Sequence, residues 1–191
     1  MPKLVKFEDE YSPLTNFPNS CNLQAASIDE PLTIMAMERT LVLVKPDALQ
    51  RGLIGEIIGR FERKGLKLVG LKMMTLDEVL LREHYAHIAN KSFFPGVAQF
   101  MKSSPVIVMA WEGLEAVAAA RLITGITKAR EADAGTIRGD LAMSVSCNVI
   151  HTADNLKTAQ NELTRFFKPD ELHEYYKSEY EHVYNEEERE G

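Results

Sequence analysis

The 191-residue sequence is long enough for one ordinary domain plus extensions, and 45% of its residues are hydrophobic, which suffices for a core. Its formal net charge of −6 argues against a dedicated nucleic-acid-binding protein, because such proteins are usually basic. It contains neither the run of roughly 18 apolar residues that a membrane span needs nor a signal peptide. The two cysteines lie far apart, so we expect a reducing, cytoplasmic location and no membrane partner.

The two ends of the chain differ in composition from the region between them. Residues 1–38 contain four prolines and no sustained periodicity, which predicts a flexible N-terminal extension. Two alternatives are an arm that docks on a neighbouring subunit and a translation start near Met35 or Met37. Residues 39–184 form the predicted domain, and residues 185–191 form an acidic C-terminal tail that we expect to fray.

Hydrophobic patterns and turn residues predict four strands within the domain, at residues 40–45, 66–74, 105–111 and 145–150. A loop of roughly ten residues after Gly125 is long for a simple connection and is therefore a functional candidate. The helices are expected at residues 54–64, 75–89 (opened by a capping box), 95–102, 113–124 and 155–167, with a last short helix that starts at Pro169.

The order of these elements, βαββαβ with added helices, indicates an α/β (α+β) sandwich of the ferredoxin-like kind. We expect a four-stranded antiparallel sheet with the helices packed on one of its faces. Lys45 lies at the carboxyl end of the first predicted strand. Open α/β sheets bind their ligands beyond such strand ends.

His151 is the leading candidate for chemistry. A turn with Gly135 and Gly139 presents Arg138, and the last predicted strand then ends at His151, whose ring would project above the sheet. A neutral imidazole there can act as a base, a metal ligand or a covalent nucleophile. Taken alone, a histidine in such a place is more often an ordinary polar residue whose hydrogen bonds are satisfied.

Common nucleotide and metal motifs are absent from the sequence. The glycines at 52, 55 and 59 do not match G-x-G-x-x-G, and no G-x-x-x-x-G-K-[ST] occurs, so any nucleotide site uses neither a Rossmann turn nor a P-loop. His84 and His87 are three residues apart on a predicted helix and can pair on a metal, but a third ligand and the H-E-x-x-H motif are missing.

A series of longer motifs runs through the domain in a fixed order. They are Glu38–Asp47 (ERTLVLVKPD), Gln50–Glu56 (QRGLIGE), Phe93-Phe94, Pro105-Val106, Trp111–Gly113 (WEG), Gly135–Asp140 (GTIRGD) and Asn148–His151 (NVIH). In combination and spacing, from about residue 38 to about residue 184, the sequence resembles the nucleoside diphosphate kinase family.

The resemblance implies a ping-pong phosphotransferase that moves the γ-phosphoryl group from a nucleoside triphosphate, typically ATP, to a nucleoside diphosphate. It makes His151 the nucleophile that forms a phosphohistidine, with a pKa near neutrality, and places Glu162 on the following helix, where it orients the ring. It also implies Mg²⁺, with Asp154 near the ion through water, and a homo-oligomer, a hexamer or a tetramer.

The remaining site residues are assigned by the same resemblance. Lys45, Tyr85, Arg121, Thr127 and Arg138 would bind the phosphates, and Lys45 and Asn148 would hold the ribose 3′-hydroxyl. Phe93 would stack on the base with Val145 opposite, an arrangement that tolerates any base. The catalytic residues are therefore His151, Glu162, Lys45, Tyr85 and Asn148, and the substrate-binding residues are Lys45, Phe93, Arg121, Thr127, Arg138, Val145 and Asn148.

Several positions depart from the family pattern. After His151 the family usually has Gly-Ser-Asp or Ala-Ser-Asp, whereas this chain has Thr152, Ala153 and Asp154. Ala153 lacks the hydroxyl that the family's serine contributes near the histidine and glutamate, so we expect moderately slower turnover, with Thr152 or a water as a partial replacement. The alternative function is a catalytically weakened nucleotide-binding regulator or scaffold of the same fold.

Three further departures lie near the predicted site. His87 stands where the family often has an acidic residue, and Cys147 where the family often has a basic one. The loop before Gly135 has Ala129 and Ala134 in place of the family's prolines. Because that loop often helps subunits to pack, this difference bears on the oligomeric state.

Overall fold

The computed structural model of this chain describes residues 37–190, without the side chains of residues 189 and 190. These residues belong to one compact unit. The extension predicted for residues 1–38 lies outside the described residues, except for Met37 and Glu38, which belong to the first strand. Among the helices of the described part, none has both the length and the apolar character needed to cross a bilayer.

Four strands form one antiparallel sheet in the order β2-β3-β1-β4: β1 (Met37–Val44), β2 (Lys67–Met74), β3 (Val106–Leu114) and β4 (Ile150–Thr152). β1 pairs with β3 along its whole length, from Met37 opposite Leu114 to Val44 opposite Ile107. On its other side β1 pairs with the short β4, where Leu43 lies opposite His151. The predicted ferredoxin-like fold with a four-stranded antiparallel sheet is confirmed.

The sheet is joined and covered by nine α-helices within the described residues, several of them only one turn long. They are α1 (Pro46–Gln50), α2 (Ile54–Arg63), α3 (Glu78–His84), α4 (Phe94–Met101), α5 (Ala116–Thr124), α6 (Ile137–Leu141), α7 (Leu156–Phe166), α8 (Tyr180–Val183) and α9 (Glu186–Glu190), with 3₁₀ turns at Ala129–Glu131 and Pro169–Glu171.

The helices pack on both faces of the sheet, so the prediction that they cover one face is wrong. Val42 and Val44 face a core formed with α2 and α5, whereas Leu41 and Leu43 face a second core formed with α3, α4 and α7. Successive side chains of a strand point to opposite faces, and both faces of β1 are buried under helices. That is why β1 is an unbroken apolar run rather than an alternating one.

The fourth predicted strand is also wrong in its bounds. Residues 145–149 form bends rather than a strand, and β4 consists only of Ile150–Thr152, so His151 lies in the middle of the strand and not at its end. The interruption is at Val149, whose backbone φ of 62° is left-handed and incompatible with a ladder. This irregular backbone is part of the site described below.

Several helix boundaries differ from the predictions. α3 is capped by Asp77, whose side chain accepts a hydrogen bond from the Leu80 amide, and not by a capping box from Thr75; it ends at His84 rather than at Ala89. The short helices α1 and α6 were not predicted, and Gly139 lies inside α6 rather than in a turn. A helix, α9, occupies Glu186–Glu190, where we expected a frayed tail. The division into extension, domain and tail stays a prediction.

Candidate active site

One cavity of about 660 Å³ opens beside the ends of β1 and β4. It brings together residues from β1, α3, α4, α5, α6 and β4 or the loops that flank them, up to 109 positions apart in the sequence. Every predicted site residue except Glu162 lines it: Lys45, Tyr85, Phe93, Arg121, Thr127, Arg138, Val145, Asn148, His151 and Asp154. His87, whose type departs from the family pattern, lines the same cavity.

Lys45 and Asn148 are held as a pair at the base of the cavity. The Lys45 amide, directly after β1, donates a 2.9 Å hydrogen bond to the carbonyl of Val149. The Lys45 ammonium donates to Asn148 Oδ1 at 2.5 Å, and the Asn148 side-chain amide donates to the Thr127 carbonyl at 3.0 Å. The loop after α5, a functional candidate by its length, thus supports Asn148.

Val149, whose backbone is in the left-handed conformation, fixes the Lys45–Asn148 pair relative to His151. Its amide donates to Asp47 Oδ2 at 3.1 Å, so the Lys-Pro-Asp sequence after β1 stabilises the backbone before β4. A β-branched residue is strained at positive φ, and such strain persists only where the surroundings hold it in place. The turn places Asn148 beside Lys45, and β4 begins directly after it, at Ile150.

His151 and Glu162 form a hydrogen-bonded pair. His151 Nε2 lies 2.9 Å from Glu162 Oε1 on α7, and the glutamate side chain is buried. α7 begins at Asn155, whose side chain caps it by accepting from the Thr158 amide at 2.9 Å. The His151 ring is 22% exposed and lines the cavity, and its Nδ1 has no hydrogen bond to the described residues.

The charges around His151 favour its neutral form. Burial, together with the positive charges of Lys45 and Arg138, lowers the pKa of His151 well below its usual 6.5. The near-neutral value expected from the residue type alone is therefore too high. If the Nε2 hydrogen is directed at Glu162, Nδ1 carries the free lone pair of a nucleophile at neutral pH.

His84 is a residue of this centre that the sequence reasoning did not assign. It is buried, its Nδ1 lies 3.6 Å from Glu162 Oε1, and its ring centre lies 4.5 Å from that of His151 at nearly a right angle. The available signal was its position three residues after the buried Leu81 on α3, on the face turned to the core. His87, considered as its metal partner, is exposed and lines the cavity instead.

Arg138 is positioned by backbone carbonyls at the closed side of the cavity. Its two terminal nitrogens donate to the carbonyls of Gly125 and Ile150 at 2.8 and 2.7 Å, and its buried Nε has no partner among the described residues. Gly125 permits this packing, since a Cβ there would lie 2.5 Å from Thr136 Oγ1. Arg121, on α5, forms an ion pair with Asp154.

The comparison with protein families decides the identity of this fold and site. The family model described as nucleoside diphosphate kinase matches residues 38–172. The chain belongs to the nucleoside diphosphate kinase family. The resemblance inferred from the motifs is confirmed, and family membership supports phosphotransferase activity rather than the alternative of a scaffold.

Individual members of the nucleoside diphosphate kinase family match over most of their length. The chain is 52% identical to a nucleoside diphosphate kinase of Parabacteroides distasonis over 139 residues, which are 73% of this chain and 91% of that protein. It is 45% identical to nucleoside diphosphate kinase B of Bos taurus over 147 residues, 77% of this chain and 97% of that protein.

A solved nucleoside diphosphate kinase is similar in fold as well. The halophilic enzyme from Halobacterium salinarum, in complex with CDP, has a TM-score of 0.76 and 44% identity, covering 78% of this chain and 99% of that one.

Ala153, the main departure from the family pattern, is fully buried against Val117 and Ala159. Thr152 makes no hydrogen bond to Glu162, so the replacement that we expected from Thr152 is not made.

Proposed function

We propose that the chain is a ping-pong nucleoside diphosphate kinase in which His151 carries the phosphoryl group between two nucleotides. The observation that supports this most is the His151–Glu162 hydrogen bond of 2.9 Å, which leaves the opposite ring nitrogen facing a cavity lined by Lys45, Arg121 and Arg138. One site serves donor and acceptor in turn, and a covalent carrier is what such a site requires.

The chemistry consists of two mirrored substitutions at phosphorus. The Nδ1 lone pair of His151 attacks the γ-phosphorus of the donor, a P–N bond forms, and the bond to the bridging β,γ-oxygen breaks, so that the nucleoside diphosphate leaves with that electron pair. The acceptor's terminal β-phosphate oxygen then attacks the phosphohistidine, and the P–N bond electrons return to Nδ1. An Nε2 hydrogen donated to Glu162 Oε1 would keep the lone pair on Nδ1 in both half-reactions.

The cationic lining stabilises the charge of the transferring group. Arg121 would exchange its partner Asp154 for phosphate oxygens, and Arg138 adds a positive charge whose position is fixed by two carbonyls. Burial raises the pKa of Tyr85 above its usual range, so its hydroxyl stays a hydrogen-bond donor. Thr127 supplies a further polar group to the same phosphates.

The Lys45–Asn148 pair and two apolar side chains account for nucleoside binding. The ammonium and amide groups at the base of the cavity suit the ribose 3′-hydroxyl, which can both donate and accept. Phe93 and Val145 are about half exposed at the cavity mouth, where a base can lie between them. An aromatic face and an aliphatic group read no base edge, so we expect broad base tolerance.

The site also fits Mg²⁺. This ion retains several waters and is usually held by one or two carboxylates together with substrate phosphates, and Asp154 offers one exposed carboxylate in the cavity lining. When bound with nucleotide, Mg²⁺ would neutralise phosphate charge. Asp154 would hold it through water, and its release from Arg121 would free the arginine for the phosphates.

We also propose that the enzyme is a cytoplasmic homo-oligomer, a hexamer or a tetramer. β2 lies at the edge of the sheet, and its Leu71 and Met73 side chains are 52% and 59% exposed. Apolar side chains on a free strand edge favour pairing with a second copy across a two-fold axis. Both oligomers contain such axes.

The proposed function is tested by incubating the full chain with ATP and Mg²⁺ in the absence of an acceptor. We expect an increase in intact mass of one phosphoryl group that is labile in acid, stable in base and discharged to GTP by added GDP. His151→Ala should form no adduct, whereas His87→Ala, which removes another histidine of the same cavity, should form it. Nucleotide binding without an adduct in the wild type would instead support the regulator or scaffold.

A further inference from the structure

Three side chains at the back of the candidate active site form a cluster of ligand atoms. His84, His151 and Glu162 each present one atom, and these atoms lie within 4.8 Å of one another. The separations from Glu162 Oε1 are 2.9 Å to His151 Nε2 and 3.6 Å to His84 Nδ1. They come from three separate elements, α3, β4 and α7.

The cluster contains more buried polar atoms than the phosphotransfer reaction employs. The side chain of His84 is only 1% exposed, yet neither of its ring nitrogens has a hydrogen bond to a described residue. Glu162 Oε2 is buried and likewise has no partner among those residues. Buried polar atoms are nearly always paired, because leaving one without a partner costs free energy. The proposed mechanism uses one oxygen of Glu162 and no atom of His84.

We propose that His84, His151 and Glu162 bind one Zn²⁺ ion in the nucleotide-free enzyme, and that this ion blocks formation of the phosphohistidine. Two imidazoles and one carboxylate are a known ligand set for tetrahedral Zn²⁺ with an open fourth position. Metal–ligand bonds of about 2.0–2.1 Å separate tetrahedral ligands by about 3.4 Å. The two separations from Glu162 Oε1, 2.9 and 3.6 Å, lie on either side of that value, and the two histidine nitrogens lie within 4.8 Å of each other.

The cluster discriminates between Zn²⁺ and the Mg²⁺ that accompanies nucleotides. Mg²⁺ prefers oxygen ligands in octahedral geometry, so a site with two imidazoles favours Zn²⁺ or Co²⁺. The fourth position would be filled by water from the cavity, since the His151 ring is partly exposed there. The two ions therefore have different places in the same site, Mg²⁺ near Asp154 and Zn²⁺ behind His151.

The block follows from the tautomer of His151. A metal on Nε2 takes the lone pair of that nitrogen, and the proton that Nε2 shared with Glu162 moves to Nδ1. Nδ1 then has a hydrogen in place of its lone pair and cannot attack phosphorus. Removal of the ion restores the first tautomer, so the inhibition is reversible by chelation. This consequence rests on the proposed function, whereas the metal site itself does not.

The site is tested first without any activity measurement. Full-length chain stripped with a chelator is dialysed against Zn²⁺, and separately titrated with Co²⁺ as an optical probe. We expect one Zn²⁺ per chain and the intense visible bands of tetrahedral Co²⁺. His84→Gln should weaken Zn²⁺ binding at least 100-fold and abolish those bands, whereas His182→Gln, at an exposed histidine of α8, should change neither.

Equal Zn²⁺ affinity in the His84→Gln chain, or a weak octahedral Co²⁺ spectrum in the wild type, would overturn the proposal. Thermal unfolding monitored by circular dichroism identifies any variant that fails to fold, and His151→Gln then provides a second variant with the same expected loss.

The inhibitory step is tested by adding Zn²⁺ before ATP and Mg²⁺ and measuring the phosphoryl adduct by intact mass. We expect no adduct in the wild type until a chelator is added, and an adduct insensitive to Zn²⁺ in the His84→Gln chain. An adduct that forms equally with and without bound Zn²⁺ overturns the block. Failure to form an adduct without Zn²⁺ overturns the proposed function, while the dialysis and Co²⁺ measurements still decide the metal site.

Discussion

Glu162 holds the nucleophile through one oxygen while its other oxygen, Oε2, is buried without a partner among the described residues. The family's usual serine two residues after the histidine is Ala153 in this chain, and Ala153 is fully buried. By the family pattern, a hydroxyl at that position contributes to the hydrogen bonds around the histidine and glutamate, and we expect it to reach Oε2. The absence of a Thr152–Glu162 hydrogen bond leaves water as the remaining candidate for that role.

We therefore expect Ala153→Ser to raise turnover. One additional hydrogen bond stabilises by about 0.5–1.5 kcal/mol, which corresponds to about a two- to tenfold rate increase if it acts in the transition state. Single-turnover measurement of phosphoenzyme formation reports this step directly. Ala159→Ser is the matched control, because Ala159 belongs to the same buried cluster but is not adjacent in sequence to the nucleophile. Equal rates for wild type and Ala153→Ser would mean that a bound water already serves Oε2.

The protonation state of Lys45 should make nucleotide binding depend on pH. Burial, with the positive charge of Arg138 as a second cause, lowers the pKa of Lys45 to about 8. Below that pH the side chain is a cation, and above it the charge is lost. We expect the KM for nucleoside diphosphates to be constant from about pH 6.5 to 7.5 and to rise about tenfold per pH unit well above 8.

The Lys45→Arg variant separates this effect from other titrations. The KM of this variant should be higher than that of the wild type at neutral pH, because the contact with Asn148 changes. It should stay constant above pH 8, because a guanidinium keeps its charge throughout the range. The same upward bend in both chains would assign the titration to a different group. Steady-state kinetics at constant ionic strength make the comparison.

At the scale of elements, the turn between α6 and β4 is the least regular part of the site and depends on Asp47. The carboxylate accepts the Val149 amide across a sequence separation of 102 residues, and Val149 is held at a φ of 62°. We expect Asp47→Ala to reduce the free energy of unfolding by about 1–3 kcal/mol, because it leaves a partly buried amide unpaired. The nucleotide KM should rise, since Asn148 loses its fixed position.

The control for this turn is Asp47→Asn, which retains an acceptor oxygen for the Val149 amide. It should keep most of the stability and most of the nucleotide affinity. Urea unfolding of the three chains, together with KM, tests both halves of the argument. Equal losses in Asn and Ala variants would show that charge, rather than the hydrogen bond, is what Asp47 contributes.

The helices and strands that were predicted from the sequence are those whose signal lies within their own residues. β1 is a continuous apolar run, and α7 has a capping Asn155 and an apolar stripe, so both were predicted close to their observed bounds. α6 has only a capping Thr136, which accepts from the Gly139 amide, as a local signal, and the turn at Val149 has none. Their conformation depends on contacts with Gly125 and Asp47, which are distant in sequence and unknown before folding.

The site follows the same rule. The family resemblance placed the residues that line the cavity, because they stand in recognisable motifs. It did not indicate His84, whose role appears only when α3 and α7 pack together and bring its ring against Glu162. The side of the sheet that each helix covers was also missed, although the unbroken apolar pattern of β1 already required two dry faces.

At the scale of the whole molecule, the segment after α7 packs along one half of the β2 edge. The His173 amide donates to the Val69 carbonyl at 2.8 Å, and the hydroxyl of Tyr175 donates to the Leu68 carbonyl at 2.9 Å. Beside it, Lys67 and Arg39 both pair with Glu112 at 2.9 and 2.6 Å. The chain thus covers the first half of its own edge strand.

Residues 37–190 leave the second half of β2 without a neighbouring strand, and there Leu71 and Met73 lie opposite Met109 and Ile107 on the face of the sheet that carries α2. If two copies pair through this edge, each Met73 enters a dry interface close to its two-fold axis. Met73→Glu would then bury a carboxylate from each copy next to a like charge, which costs several kcal/mol. We expect the dissociation constant of the oligomer to rise at least about 100-fold, as measured by sedimentation equilibrium.

Val79→Glu is the matched control, since Val79 is 68% exposed but lies on α3, which packs on the other face. It should leave the association unchanged. The active-site cavity is built within one chain, so the Met73→Glu chain should still form the phosphoryl adduct on His151. If Val79→Glu dissociates the oligomer and Met73→Glu does not, the interface lies at α3 and not at the β2 edge. An adduct that disappears together with the oligomer would mean that the site needs its neighbour to hold the loop after Gly125 in place.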